Sequence, residues 1–204
     1  MSIILVRHGT TALNLARVLQ PPATPLNADG LAQAEAAARE MLALRPAGII
    51  SSDLPRARQT AEAIARATGL DLETTDLLQE RNFGELRGQA YDQLGFDPLT
   101  MAQAPAGGES ATAFERRVGL AFALAVRRRE SMTGPLVVVT HGLVIGTLLA
   151  GPINVAADRL AGMHIANTSV TILGEQPPHA VLLLNSTRHL NTGMADNAHG
   201  LVGG

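Results

Sequence analysis

The sequence predicts an α/β protein with a largely parallel sheet. Three short apolar runs, at residues 3–6, 49–50 and 136–139, have the aliphatic and β-branched composition of buried strands. Helical stretches separate them, and this alternation is typical of a sheet covered by helices. The chain has 204 residues and is 46% hydrophobic, enough for one such core. We therefore expect a three-layer α/β/α sandwich, formed by a single domain of residues 1–204.

The first half of the chain alternates strand and helix patterns. Asn27 is a favourable residue for starting a helix, and Gly69 is typical of a helix end. Ser52 or Asp53 is expected to cap the helix that begins at Pro55. The predicted elements are a strand at 3–6, a short helical segment at 12–17, a loop at 20–25, a helix at 27–44, a strand at 49–52, a helix at 55–68 and a strand at 71–74.

The second half begins with a charged, glycine-containing stretch at residues 77–88, which predicts a loop. Residues 89–108 combine one or two helical turns with prolines and glycines, so we expect a small helical excursion from the main sheet. The remaining predicted elements are a helix at 111–129, a strand at 136–140, an apolar helix at 143–150, a helix at 154–160, strands at 169–173 and 180–185, and a loose tail from 195.

Composition argues against several classes of protein. The formal net charge is −2 and only 2% of residues are aromatic, so neither charge nor stacking favours nucleic acid as a partner. The chain has no cysteine, which excludes disulfides, thiolate metal sites and a cysteine nucleophile. No apolar run reaches the roughly 18 residues of a membrane span, and the N-terminus has no signal-peptide pattern. We expect a cytoplasmic protein that does not bind membranes.

Polar residues follow each of the three apolar strands. Arg7 and His8 end the first, Ser52 and the downstream Arg56 follow the second, and His141 follows the third. If the strands are parallel neighbours, these residues share one pocket beyond their carboxyl ends. Two guanidiniums and two imidazoles suit a phosphoryl group, because arginine presents paired N–H donors to its oxygens. Without paired carboxylates, and with arginines that would repel zinc, we expect no metal.

Local alternatives exist for these cations. Strand 3–6 could simply stop at a polar turn, with His8 as an ordinary surface histidine. Arg56 and Arg58 lie in the first turn of a helix, where the helix dipole opposes them. A bound anion would offset that cost, and so would ion pairs with Asp53 or Glu62.

Five segments resemble, in order, the motifs of the histidine phosphatase superfamily, the phosphoglycerate-mutase-like proteins. One Arg-His-Gly triplet is weak evidence, whereas five ordered matches over about residues 3–190 are strong. The match around residue 56 selects Arg56 over Arg58. The resemblance implies a phosphoglycerate mutase-like fold. The segments are residues 5–14, 51–61, 78–84, 107–110 and 138–142.

The resemblance also implies a phosphoric monoester hydrolase of the histidine acid phosphatase type. His8 would attack phosphorus and form a phosphohistidine, and Glu80 would protonate the leaving oxygen and then activate water. The alternative for Glu80 is an ion pair with Arg81 or Arg87. The other catalytic residues would be Arg7, Arg56 and His141, and the substrate-binding residues would be Thr11, Asn14, Gln20, Arg81 and Gly142.

The implied partner is a small phosphorylated substrate, with no cofactor, and the sequence leaves a homodimer open. Thr10, Leu13 and Pro21 depart from the family's pattern near the pocket mouth, where the leaving group is recognised. The alternative functions are a cofactor-dependent phosphoglycerate mutase, a phosphatase for phosphohistidine on proteins, and a non-catalytic module that binds phosphorylated ligands. The last would usually have lost His8, Glu80 or Arg56.

Overall fold

A computed structural model describes residues 2–191 and Gly193. Its described strands form one six-stranded sheet in the order β3-β2-β4-β1-β5-β6. The pairs β1–β4, β2–β4 and β2–β3 are parallel, whereas β5 runs antiparallel to β1 and β6. The largely parallel sheet is thus confirmed. The strands are β1 (Ile3–Arg7), β2 (Gly48–Ser52), β3 (Leu72–Thr75), β4 (Leu136–Thr140), β5 (Val170–Leu173) and β6 (Val181–Ser186).

Helices cover both faces of the sheet and make the three layers that the sequence predicts. Apolar residues of α2 and α3 pack against one face, and those of α4 and α5 pack against the other. The central strands β1 and β4 are buried along their whole length, so both are apolar up to their last residue and do not alternate with polar residues. The helices are α1 (Ala12–Leu15), α2 (Ala28–Leu44), α3 (Pro55–Thr68), α4 (Ala111–Glu130), α5 (Gly142–Ala150) and α6 (Ala157–Leu160).

Helix ends follow their local signals, with one exception. Asn27 caps α2 by accepting a hydrogen bond from the Gly30 amide, and Gly69 ends α3 in the left-handed conformation. The expected cap of α3 by Ser52 or Asp53 is wrong, because Leu54 occupies the N-cap position without a side-chain bond. The Ser52 hydroxyl instead contacts the ring of His141, just after β4.

Residues 77–87, which include Glu80, are called the acid loop below. The segment between this loop and α4 contains two short 3₁₀ turns, Tyr91–Gln93 and Pro98–Thr100. Main-chain hydrogen bonds attach its start to the loop after α1, including Gly88 N–H to the Leu19 carbonyl at 2.7 Å. This pairing brings two loops together over the carboxyl ends of the strands. The predicted tail from residue 195 lies outside the described residues.

The turn after β1 is fixed by close backbone contact with α2. A Cβ on Gly9 would lie 2.5 Å from the carbonyl oxygen of Gly30, closer than any real side chain can approach. The adjacent Thr10 is buried, and its amide and hydroxyl both donate to the side-chain oxygen of Gln33, each at 2.9 Å. Gly9 and Thr10 therefore hold the end of β1 rigidly beside α2.

Candidate active site

The neighbouring strands β2, β4 and β1 bring the three predicted polar ends together. The ring centroids of His8 and His141 lie 5.1 Å apart, and both histidines are fully buried. Arg7 and Arg56 are only 2% exposed. A cluster of two guanidiniums and two imidazoles therefore occupies the carboxyl edge of the sheet. The surface-histidine interpretation of His8 is wrong, because the strand order encloses it between three elements.

The backbone fixes the position and tautomer of His8. Its Nδ1 lies 2.7 Å from the carbonyl oxygen of Gly9, so Nδ1 carries the proton and donates it to that oxygen. The lone pair of the neutral ring then lies on Nε2. The Gly9 amide donates to Thr60 Oγ1 at 3.0 Å, and Asn167 Nδ2 donates to the His8 carbonyl at 2.9 Å. The imidazole is thus oriented with its basic nitrogen away from the turn.

A side chain from the neighbouring strand fixes His141. Ser52 Oγ lies 2.9 Å from Nε2 of His141 and also accepts the Leu54 amide at 3.3 Å. Among the described residues, Nε2 of His141 is the one acceptor within reach of the hydroxyl proton, so Ser52 donates to Nε2 and the ring proton lies on Nδ1. Nδ1 is buried and has no hydrogen-bond partner among the described residues. His141 therefore offers an N–H donor, which a phosphoryl oxygen would satisfy.

The electrostatics of the site keep His141 neutral. Burial is the main cause that lowers its pKa well below the usual value, and the nearby Arg56, His8 and Arg7 lower it further. A neutral imidazole with a fixed tautomer is a donor at one nitrogen and an acceptor at the other. Ser52 uses the acceptor, so only the donor is available to a ligand.

Arg7 and Arg56 have guanidinium N–H groups that no atom of the described residues accepts. Arg7 Nη1 donates to the Ile165 carbonyl, but its Nε and Nη2 have no partner within the described chain. Nε and Nη1 of Arg56 also have no hydrogen-bond partner among the described residues. Burial lowers the pKa of each arginine to about 10, so both stay charged at neutral pH. Leaving buried charged donors unsatisfied is costly, and a bound anion offsets that cost.

Glu80 lies at the same edge, and main-chain amides hold its carboxylate. One oxygen accepts from the Arg81 amide at 2.9 Å and the other from the Leu143 amide at 3.1 Å. Burial raises the pKa of Glu80 to about 7, although the two amides and the charges of Arg56 and Arg7 act in the opposite direction. The alternative of an ion pair between Glu80 and Arg81 is wrong, because Arg81 contacts the carboxylate through its backbone N–H.

Three of the predicted substrate-binding residues form a small polar network beside the site. Thr11 Oγ1 lies 2.9 Å from Gln20 Oε1, and the Thr11 amide donates to Asn14 Oδ1 at 3.1 Å. These bonds occupy the carbonyl oxygens of both amide side chains. Asn14 Nδ2 and Gln20 Nε2 are buried and lack partners in the described part of the chain. Their N–H groups remain available as donors to a ligand.

Gly142 and Arg81 have different surroundings. Gly142, at the start of α5, lies against the guanidinium of Arg7: a Cβ at this position would be 3.4 Å from Nε of Arg7, an ordinary van der Waals contact. The Arg81 guanidinium donates to the carbonyls of Met101 and Glu109, at 2.6 and 3.2 Å. It fastens the segment before α4 onto the acid loop, a contact that sequence reasoning did not identify.

The exposed Arg58 forms an ion pair with Glu62 at 2.8 Å on the surface of α3. Arg56, two positions earlier, points into the site. Residues two apart on a helix face in nearly opposite directions, so only one of them reaches the pocket.

Sequence reasoning missed three residues that support the site. Ser52 was expected to cap a helix and instead bonds to His141. Asn167 precedes β5, and because β5 is antiparallel its start lies at the same edge as His8. Arg117 on α4 donates to the Gln79 carbonyl at 2.7 Å and pairs with Glu109 at 2.8 Å, which holds the acid loop. Of these three residues, Asn167 alone lies in a pattern that the sequence shows, the polar run directly before β5.

Among the residues that the structure describes, no group of three or more His, Cys, Asp or Glu side chains is arranged to hold a metal ion. Within the same residues, no helix has both the length and the apolar composition needed to cross a membrane.

The fold and the site define an α/β protein with two buried arginines and two buried histidines at the carboxyl edge of its sheet. Comparison with known proteins identifies the family: residues 3–187 match the model of the histidine phosphatase superfamily (branch 1), and the chain belongs to it. A Yersinia pestis protein named probable phosphoglycerate mutase GpmB is 33% identical over 181 residues, covering 84% of this chain and 83% of that protein.

Solved structures with the same fold include two relatives above 25% identity. Bacillus stearothermophilus YhfR has a TM-score of 0.81 and 28% identity, covering 92% of this chain and 98% of that one. A mycobacterial glucosyl-3-phosphoglycerate phosphatase, in complex with inorganic phosphate, has a TM-score of 0.77 and 28% identity, with coverage of 93% and 99%. The phosphoglycerate mutase-like fold is thus confirmed, and these relatives support an enzyme with phosphatase or mutase activity.

Proposed function

We propose that this chain is a metal-independent phosphatase that hydrolyses a small phosphomonoester through a phosphohistidine on His8. The observation that carries the proposal is the fixed tautomer of His8, whose basic Nε2 shares the buried site with the unsatisfied donors of Arg7 and Arg56. A neutral, oriented imidazole is a nucleophile, and fixed cations stabilise the charge on a phosphoryl group during transfer.

In the first step, His8 Nε2 attacks phosphorus and the bond from phosphorus to the ester oxygen breaks. The leaving oxygen takes that bond's electron pair and a proton from Glu80, so the alcohol departs neutral. Arg7, Arg56 and the Nδ1–H of His141 hold the three non-bridging oxygens, with further donors from Asn14. All of these groups are already in place, so the protein reorganises little as charge develops.

In the second step, the Glu80 carboxylate takes a proton from water, whose oxygen attacks the phosphohistidine. The bond from phosphorus to Nε2 breaks, its electron pair returns to His8, and inorganic phosphate leaves. Glu80 thus ends protonated, ready for the next cycle. A pKa of about 7 suits both roles, because near neutral pH the acid and base forms are both populated.

A phosphoglycerate mutase is the second candidate, and the relative named probable phosphoglycerate mutase favours it. A mutase must protect its phosphohistidine from water while the substrate reorients. Residues 88–108, the segment that would cover the site, contain no Lys or Arg and form two single 3₁₀ turns. This thin cover, which has no cationic side chain, supports hydrolysis as the dominant outcome.

The deciding experiment follows both products from one substrate. The chain is given 3-phosphoglycerate with a trace of 2,3-bisphosphoglycerate, and a panel of phosphomonoesters is assayed in parallel for released phosphate. We expect phosphate release that is insensitive to EDTA and absent from the His8→Ala variant. Formation of 2-phosphoglycerate faster than phosphate release from any monoester would assign the chain as a mutase. Loss of activity with EDTA and recovery with Mg²⁺ or Zn²⁺ would contradict the metal-independent mechanism.

A further inference from the structure

The guanidinium of Arg7 is held by one main-chain oxygen. Its Nη1 donates to the Ile165 carbonyl, whereas Nε and Nη2 have no hydrogen-bond partner among the described residues. Arg7 is only 2% exposed, and the proposed mechanism needs its free donors to face the phosphoryl group. The direction in which those donors point therefore depends on where the Ile165 carbonyl lies.

Ile165 lies in residues 161–169, a segment between α6 and β5 that belongs to no helix or strand. Regular secondary structure does not fix its carbonyl, so another group must do so. The side chain of Asn185, on β6, bonds to the main chain on both sides of Ile165. Its Nδ2 donates to the His164 carbonyl at 2.7 Å, and its Oδ1 accepts from the Ala166 amide at 2.9 Å. Asn185 thus fixes the peptide groups before and after Ile165.

The second of these bonds acts on the same peptide group that holds Arg7. The Ala166 N–H and the Ile165 carbonyl belong to one planar trans peptide, so they point in opposite directions. Asn185 accepts at one end of this plane, and Arg7 donates at the other. A bond at one end of a planar group orients the other end, and hydrogen bonds in such a chain polarise one another. The Ile165–Ala166 peptide therefore couples Asn185 to Arg7.

The backbone of β6 is distorted where it carries Asn185. The register shifts between the pairs Val170–Ser186 and Ile172–Leu183, so three steps along β6 lie opposite two along β5. Asn185 has φ +51°, a left-handed conformation that asparagine adopts more readily than most residues. An extra residue in a strand re-aims a side chain, and here that side chain bonds to the segment before β5.

We propose, resting on the phosphatase function above, that Asn185 is a positioning residue that holds the guanidinium of Arg7 toward the phosphoryl group through the Ile165–Ala166 peptide. β6 is the last strand of the sheet, two positions from β1, which carries Arg7. In the proposed mechanism Arg7 holds phosphoryl oxygens and does not contact the leaving group. Loss of this support should therefore weaken the binding of every phosphomonoester, and of inorganic phosphate, by the same factor.

The test measures the Kd of inorganic phosphate, and kcat/KM for p-nitrophenyl phosphate and glycerol 3-phosphate. Asn185→Gly removes both side-chain bonds, and glycine keeps the left-handed conformation accessible. Phosphate affinity and kcat/KM for both esters should fall about 10-fold, the size expected from the loss of one hydrogen bond. Asn154→Gly is the matched control, because Asn154 is exposed and has nearly the same conformation, with φ +54°. It should change none of these values.

A double-mutant cycle separates positioning of Arg7 from a general structural role. Arg7→Ala removes the group through which Asn185 is proposed to act, so adding Asn185→Gly to it should lower phosphate affinity no further. A further 10-fold loss in that background would overturn the inference. Wild-type phosphate affinity and kcat/KM in Asn185→Gly would also overturn it, whatever the change in melting temperature.

The outcomes also separate this inference from the proposed function. If the wild type hydrolyses the esters and the cycle shows no coupling, the phosphatase function stands and the inference is wrong. If the wild type binds phosphate but hydrolyses neither ester, the phosphatase proposal fails, and the phosphate affinities alone decide the role of Asn185. If it does neither, both proposals fail.

A second variant covers the case in which Asn185→Gly does not fold. Asn185→Asp then replaces it in the cycle, because a carboxylate still accepts from the Ala166 amide while the donor to the His164 carbonyl is lost. The same coupling to Arg7→Ala is expected at a smaller size, and additive losses would overturn the inference.

Discussion

The ends of β1 and β4 look alike in sequence and differ in how the fold uses them. Each strand ends in a histidine followed by a glycine, and the two rings lie 5.1 Å apart. The backbone carbonyl of Gly9 accepts a hydrogen bond from Nδ1 of His8. In His141, Nε2 accepts a hydrogen bond from the Ser52 hydroxyl. Both rings have the same tautomer. One is left with a lone pair for chemistry and the other with an N–H.

This difference teaches that a histidine's second partner decides its role. In the proposed mechanism, the carbonyl acceptor of His8 leaves Nε2 as the nucleophile, and the hydroxyl donor of His141 leaves its Nδ1–H for a phosphoryl oxygen. The Leu143 amide, just after the end of β4, donates to the carboxylate of Glu80. The proposed acid, Glu80, and the proposed N–H donor, His141, are therefore both held at the end of this strand. The predictions below test this division of roles.

The largest effect is expected where the nucleophile is removed. His8→Ala should reduce hydrolysis by at least about 10⁴-fold, because no other group in the site can form the covalent intermediate. His141→Ala should lose about 10²–10³-fold, the size found for one donor to a developing charge. Rapid acid quench with ³²P-labelled substrate should trap phosphate on the wild type and on His141→Ala. Trapping on His8→Ala, or on neither of the other two proteins, would overturn the assigned roles.

Removing the proton donor should change the pH profile. Because the pKa of Glu80 is about 7, kcat/KM for an alkyl phosphate should fall as pH rises through that value and the acid form disappears. Glu80→Gln should be slow, and its kcat/KM should lack this fall. The pH dependence that remains should be the one that comes from ionisation of the substrate. The variant should be impaired less with p-nitrophenyl phosphate, whose leaving oxygen needs little protonation. An identical falling limb in Glu80→Gln would assign it to another group.

A smaller effect is expected from the partner of His141. Ser52→Ala removes the hydroxyl that fixes the tautomer, and kcat should fall about 10-fold, the size expected for one hydrogen bond. Ser51→Ala is the matched control, because Ser51 is equally buried and its hydroxyl donates to the Ser52 carbonyl. Ser52→Thr keeps a hydroxyl and should recover part of the loss. Equal losses in both alanine variants would indicate a packing effect and not control of the tautomer.

The smallest expected effect is a change in the NMR signals of the wild-type histidine rings when phosphate binds. Nitrogen-15 NMR of the histidine rings should show both His8 and His141 protonated on Nδ1, with His141 neutral at pH 7 because burial lowers its pKa. Adding inorganic phosphate should shift the Nδ1–H of His141, which would gain an acceptor, more than that of His8, which already has the Gly9 carbonyl. A His141 ring protonated on Nε2 would reverse the direction of the Ser52 bond and contradict its role as donor.

The strands, most helix bounds and the grouping of polar residues at one edge of the sheet can be predicted from the amino-acid sequence alone. Aliphatic runs predict buried strands because few other structures bury every side chain of a short segment. Asn27 and Gly69 predict helix ends because their local chemistry suffices. The position of polar residues after each strand was enough to group Arg7, His8 and His141 before the strand order was known.

Only the tertiary structure decided how these residues are held. Ser52 reaches His141, 89 positions away, because β2 and β4 are neighbours in the sheet, and no local pattern contains that adjacency. Arg81 and Arg58 carry the same charge, yet the guanidinium of Arg81 donates to the Met101 carbonyl of the segment before α4, whereas Arg58 pairs with Glu62 on the surface of α3. Hydrogen-bond partners depend on which distant segments meet, so tautomers, raised pKa values and uncommitted donors follow from the fold and not from composition or spacing.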